Sequence, residues 1–136
     1  MREFSKRIFS RIDYTKPANI KFQGKDYDKC LIRDINLTGM FVIGNFKQQA
    51  GDKCIIKYSH SSSTSQFYFK AAAKVVRSSS EGVGIVFTSM PLYSYVFLET
   101  TLLYESNNPL TIGQQLPENF PFKIIDKLSE NPDINI

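Results

Sequence analysis

Two short clusters carry residue types that could recognise a nucleotide. The first is Arg7-Ile8-Phe9-Ser10-Arg11, two arginines four apart. A guanidinium is a planar fork of donors that suits phosphate oxygens and the O6/N7 edge of guanine. The second is Asp34-Ile35-Asn36-Leu37-Thr38-Gly39. An Asp carboxylate accepts from the N1–H and N2–H donors of guanine, and an Asn amide adds one donor and one acceptor. Two apart on a strand, Asp34 and Asn36 are expected on one face. Gly39 permits a positive φ or a close backbone approach. Together the clusters could read the phosphates and the base of a guanine nucleotide. Taken singly, two arginines near an N-terminus are more often a solvated basic segment, and Asp-x-Asn-x-x-Gly is more often a turn.

Catalytic alternatives find little support. His60 is the only imidazole and lies in the run Ser59-His60-Ser61-Ser62-Ser63-Thr64-Ser65, read as a polar hairpin tip. A general base needs a fixed position within hydrogen-bond reach of its nucleophile. Gly82-Val83-Gly84 reads as a hairpin exit, not as a strand-to-helix turn for a phosphate or a nucleophile. Glu81, Glu99, Asp26 and Asp28 read as solvated charges. Cys30 and Cys54 form no Cys-x-x-Cys pair, and one His with two scattered Cys does not make a structural zinc site. The expectation is a protein that is not an enzyme and needs no metal or cofactor.

The elements that must position the clusters read mostly as strands. Alternation marks Ala18 to Phe22, Tyr27 to Ile35, Met40 to Ile43, Cys54 to Tyr58, Gln66 to Arg77 and Val83 to Phe87. In the second of these, Cys30 and Ile32 are placed on one face and Leu31, Arg33 and Ile35 on the other. In the fifth, Phe67, Phe69, Ala71, Ala73 and Val75 share a face. Ser89 then reads as the cap of a helix, with Pro91 in its first turn and the end near Tyr104. Six strands at hairpin spacing and one helix predict an all-β fold: a small closed antiparallel barrel with a helix as lid.

Charge separates domain from tail. Residues 1–104 hold 15 basic and 8 acidic side chains, net +7; residues 105–136 hold 2 and 5, net −3. The expected organisation is a basic arm over 1–16, a barrel over 17–88, a helix over 89–104 and an Asn/Pro-rich tail over 105–136. Phe120, Phe122, Ile124 and Ile125 are candidates to dock that tail on the domain or on a second copy, and residues 129–136 are expected to fray. No apolar run approaches the ~20 residues of a membrane span, and the N-terminus has no apolar core of a secretory signal. The expected setting is the cytoplasm.

The order of the two clusters, with strands between and after them, resembles the PilZ domain family. Its pattern is Arg-x-x-x-Arg, a first strand and most of a second, then Asp/Asn-x-Ser-x-x-Gly. Arg7–Arg11 and Asp34–Gly39 are the matching stretches. Val75-Val76-Arg77, Gly82-Val83-Gly84-Ile85-Val86-Phe87 and the helix that follows look like the family's last two strands and closing helix. The resemblance covers residues 4 to 104. It implies a six-stranded PilZ-type β-barrel that binds the bacterial second messenger cyclic di-GMP, often as two intercalated molecules. By similarity, Arg7 and Arg11 on a closing arm would hold guanine and phosphate, and Lys6 matches a position that is often basic. Asp34 and Asn36 would contact guanine, and Gly39 would keep the turn open. Asn36 departs from the family's Ser, which leaves other guanine-containing cyclic dinucleotides as candidate ligands. With no output domain in these 136 residues, the signal is expected to pass to a downstream protein or through a homodimer. Two rival readings are a PilZ-like interaction module that does not bind nucleotide, and a basic barrel binding single-stranded nucleic acid. The second is disfavoured because no basic stripe is interleaved with aromatics.

Overall fold

The computed structural model describes residues 12–61, 66–105 and 122–134. The elements run β1 (Ile12–Phe22), β2 (Lys25–Ile35), β3 (Gly39–Ile43), β4 (Lys53–Ser61), β5 (Gln66–Ser78), β6 (Gly82–Pro91), α1 (Leu92–Glu105) and β7 (Lys123–Ile125). The sheet order is β3-β2-β1-β4-β5-β6, and a further antiparallel pairing of β3 with β6 closes it into a barrel. The seventh strand is added outside that ring, parallel to β6.

Alternating side chains fill the barrel. Phe69, Ala71, Ala73 and Val75 of β5 are buried and belong to one core with Ile20, Ile56 and Ile85. The alanine run is strand, as expected. Small side chains at 71 and 73 leave room inside for the large rings of Phe69 and Phe87, whose centroids lie 5.6 Å apart. Leu98, Leu102 and Tyr95 of α1 join the same core. The helix is also tied to the edge of β5: the Ser94 hydroxyl donates to the Lys70 carbonyl at 2.8 Å and accepts the Lys70 N–H at 3.0 Å. Those backbone groups lie beyond the end of the β5–β6 pairing at Ala72 and would otherwise be orphaned on that edge.

Four expectations from the pattern need correction. The first strand starts at Ile12, not Ala18, because β2 continues to Ile35 and offers Asp34 and Ile35 as partners for Asp13 and Ile12. Residues 12–16, assigned to the arm, are therefore strand. Pro17 is tolerated there because β4 pairs only with residues 19–22, so the missing N–H costs no ladder bond on that side. Second, Ile35 is fully buried in the core although Leu31 is exposed. A bulge between Ile32 and Asp34 inserts one residue into β2, and one extra residue reverses the faces beyond it. Third, Ser89 and Pro91 are not the helix start: β6 runs through both, held by β5 at Ser89 and by β7 at residues 89–91. Only after Pro91, whose nitrogen has no proton to offer a further ladder bond, does the chain turn into α1. Fourth, Ser59, His60 and Ser61 are paired with Tyr68, Phe67 and Gln66 instead of lying in a hairpin tip.

The tail packs on the barrel. Phe122 is buried against Phe87 and Tyr95, with centroids at 6.2 Å and 6.1 Å. Ile124 packs on the same core, while Phe120 lies outside the described residues. Past β7, Leu128 covers Ile55 and Ala72, and Ile125 packs beside them. Ile55 and Ala72 are direct partners on β4 and β5 and alternate with inward-facing neighbours, so they point outward and would be wet without this cover.

Residues 129–134, expected to fray, are also held. Glu130 forms ion pairs with Lys70, with Lys57 at 3.5 Å and with Lys21 at 3.9 Å. Three adjacent strands, β1, β4 and β5, each contribute one of these lysines. A hydrogen bond from Lys70 and the charge of Lys57 hold the Glu130 carboxyl below the ordinary carboxylate range. A depressed carboxyl stabilises the folded form above its unfolded value, about 4.3, and that contribution is lost as pH falls through the lower folded value. Acidification below about pH 4.3 is therefore expected to release the segment around Leu128 before the barrel unfolds. The Leu128 methyl resonances report this, and Glu130→Gln should abolish the acid-dependent step; an unchanged pH profile in that variant would overturn the assignment.

The thiols are chemically quiet. Burial, and then the nearby Asp52 charge, push the Cys54 thiol up to about 12, and burial followed by Asp28 raises Cys30. Neither is a thiolate near neutral pH, so neither is an activated nucleophile.

Candidate functional site

The end of β2 and the turn into β3 carry the Asp34–Gly39 motif. Leu37 is fully buried and pins the turn to the core. The turn is closed by the Asn36 N–H donating to the Gly39 carbonyl at 2.9 Å. The Asn36 side-chain carbonyl accepts from the Thr38 N–H at 3.0 Å, the Thr38 hydroxyl at 3.0 Å and the Gly39 N–H at 2.9 Å. The short Asn side chain thus mimics a turn of backbone. Asn36 lies one residue past β2, so strand alternation does not set its direction. Its carbonyl points into the turn, and the expected shared face with Asp34 is replaced by two different placements.

Gly39 is required for a reason that composition alone does not reveal. It has no positive φ. It begins β3 opposite Val86, and a Cβ there would lie 1.9 Å from the Ile85 carbonyl oxygen of β6. Of the two uses open to a glycine at this position, the close backbone approach is the one realised.

Asp34 sits beside the bulge and is largely buried, with its Oδ2 accepting from Arg33 Nε at 3.1 Å. Consecutive residues of a regular strand point to opposite faces; the bulge brings this adjacent pair together. Arg33 also reaches Glu81 Oε1 through Nη1 at 3.5 Å. Its guanidinium lies 4.0 Å from the centroid of the Phe41 ring, and that of Arg77 lies 5.6 Å from the same ring. Phe41 is absent from the interior cluster, in which its neighbours Met40 and Val42 take part, yet it is only 2% exposed. It is an outward-facing ring close to two arginines. Arg33 and Glu81 also line an open groove of about 420 Å³, with Ile43, Gly44 and Ser80.

The structure therefore brings Asp34, Asn36 and Gly39 into one corner. Lys6, Arg7 and Arg11 lie outside the described residues. The sequence reading missed Arg33, Phe41, Arg77 and Glu81 as a group. The alternation Met40-in, Phe41-out was a readable sign of an external aromatic, but the arginines reach it from strands whose register the sequence does not show. A larger groove, about 650 Å³, between the β1–β2 hairpin and residues 130–132, involves none of the motif residues. Among the described residues no group of His, Cys, Asp and Glu is arranged to hold a metal, and no helix is long and apolar enough to cross a membrane.

A closed six-stranded antiparallel barrel, with an acidic residue and a tight turn at the end of its second strand, defines a small barrel whose motif-bearing corner is a candidate binding surface. The chain belongs to the PilZ domain family, whose sequence model matches residues 5–103, a span that contains both Arg7–Arg11 and Asp34–Gly39. PilZ domains are binding and receptor modules, generally for cyclic di-GMP. No individual curated protein matches the chain.

Proposed function

We propose that this protein is a non-catalytic, cytoplasmic receptor for cyclic di-GMP, or for another guanine-containing cyclic dinucleotide, and that it passes the signal to a protein partner. The observation that carries the reading is Asp34. Its carboxylate is held at the barrel corner by Arg33, which itself lines a groove, and the family match spans it together with the Arg7–Arg11 segment. In this reading Asp34 accepts from guanine N1–H and N2–H, while Arg7 and Arg11 supply charge-assisted contacts to guanine and phosphate, with Lys6 as a phosphate neighbour. Two bound ligands bring four phosphate charges, which a basic arm offsets. Asn36 and Gly39 act by shaping the turn that presents Asp34. An arm that orders on binding changes the surface open to a downstream protein or a second copy.

Calorimetry with purified protein tests this. Binding of cyclic di-GMP is expected at micromolar affinity or tighter, about −8 kcal/mol or better. Asp34→Ala, Arg7→Ala and Arg11→Ala each remove contacts to a charged group worth about 1.5–3 kcal/mol, a loss of roughly 10- to 150-fold. Asn36→Ser is expected to bind with unchanged stoichiometry, because a Ser hydroxyl can also cap the turn. Absence of heat with any guanine-containing cyclic dinucleotide would overturn the receptor reading in favour of a nucleotide-free interaction module. Salt-sensitive oligonucleotide binding instead would favour the nucleic-acid barrel.

A further inference from the structure

We infer that Arg33, Phe41 and Arg77 form a second base-recognition site, which reads the other guanine of the cyclic dinucleotide. This rests on the receptor reading above and adds residues outside both family motifs. Three observations carry it. Phe41 faces outward yet is nearly inaccessible, with the Arg33 guanidinium 4.0 Å and the Arg77 guanidinium 5.6 Å from its ring centroid. The pairings Phe41↔Gly84 and Arg77↔Gly84 place the two residues across β3, β6 and β5, with no side chain at position 84 between them. Arg33 joins this group directly to Asp34 and borders the open groove.

Two of the contacts that hold Arg33 are of an exchangeable kind. Its pairing with Glu81 is an exposed ion pair at 3.5 Å, and its contact with Phe41 is a cation–π contact made by a half-exposed arginine side chain. Both kinds are weak in water. Arg33 currently donates to the same carboxylate that a guanine would use. When guanine takes Asp34, the Arg33 fork is released within reach of the neighbouring base. There it can donate to O6 and N7, the acceptor pair that guanine has and adenine lacks, while the uncovered Phe41 ring offers a stacking surface. Glu81 competes for Arg33 and restrains its release.

The test is calorimetry of the full chain with cyclic di-GMP and with the mixed cyclic GMP–AMP, which keeps one guanine for Asp34. The wild type should prefer cyclic di-GMP by about tenfold or more, the discrimination of a bidentate arginine. Arg33→Ala should weaken cyclic di-GMP by about tenfold or more, and bring the two ligands to within about threefold of each other as that discrimination is lost. Arg33→Lys, which keeps donors for O6 and N7 but loses the planar fork, should retain part of the preference. Glu81→Gln should tighten cyclic di-GMP by about two- to fivefold as one exposed ion pair is removed. Phe41→Leu, which retains apolar cover and removes the ring, should weaken both ligands. If Arg33→Ala weakens both ligands equally, the second site is overturned while the receptor reading stands. If the wild type binds neither ligand, the receptor reading itself has failed.

Discussion

Gly39→Ala is expected to destabilise the barrel by about 3 kcal/mol, at the upper end of the usual cost of overpacking. The added Cβ would lie 1.9 Å from the Ile85 carbonyl oxygen, 3.0 Å from its carbon and 3.1 Å from the Val86 Cα. All three are backbone atoms of β6, so no rotamer change relieves the contact. Gly82→Ala should behave alike, since its Cβ would lie 2.0 Å from the Val42 carbonyl oxygen. The two glycines sit at opposite ends of the β3–β6 ladder, Gly39 against Val86 and Gly82 against Ile43. That ladder is the seam that turns an open sheet into a barrel. Pushing it apart at either end exposes strand edges and the core beneath. Gly84→Ala is the internal control: it lies between the two, and its Cβ would meet only Arg77 side-chain atoms at 3.6–3.7 Å. Thermal or denaturant unfolding should give two large losses and one change within about 1 kcal/mol. A Gly39→Ala midpoint equal to wild type would show that β3 and β6 are not in close register.

The second large effect is expected at Phe122. Phe122→Ala should cost about 3–5 kcal/mol, the range for deleting a buried aromatic side chain. Its ring meets Phe87 edge-on, at 85°, and lies against Tyr95 of the helix. It therefore joins a barrel strand to the lid. β7, which begins at the next residue, pairs with Ser89 to Pro91 and should lose its amide-exchange protection with it. The family match ends at residue 103, so the cooperative unit of this chain would extend some 20 residues beyond the matched segment. A cost below about 1 kcal/mol would mean that the tail opens independently of the barrel.

Strand identity was legible where inward and outward residues alternate without interruption. Phe69, Ala71, Ala73 and Val75 fall on the core face that their spacing predicts. The apolar cluster Phe122, Ile124 and Ile125 correctly marked where the tail meets the domain. Legibility failed where the period slips. One extra residue near Arg33 turns Ile35 inward and places Arg33 beside Asp34, and no single residue in that stretch announces it. The extension of β6 through Ser89 and Pro91 was hidden for a different reason. It depends on β7, whose partner lies some 34 residues earlier in the chain.

The candidate site divides along the same line. Residue types and spacing were enough to nominate Arg7, Arg11, Asp34, Asn36 and Gly39, because donor and acceptor chemistry belongs to the side chains themselves. They were enough, too, to set a basic domain against an acidic tail. They could not say that Gly39 is demanded by the backbone of β6, or that Arg33 and Arg77 converge on Phe41. Each of those facts is a distance between atoms of different strands. Such distances are set by strand register and barrel closure. Register is a property of paired strands, and the local pattern of either strand alone does not contain it.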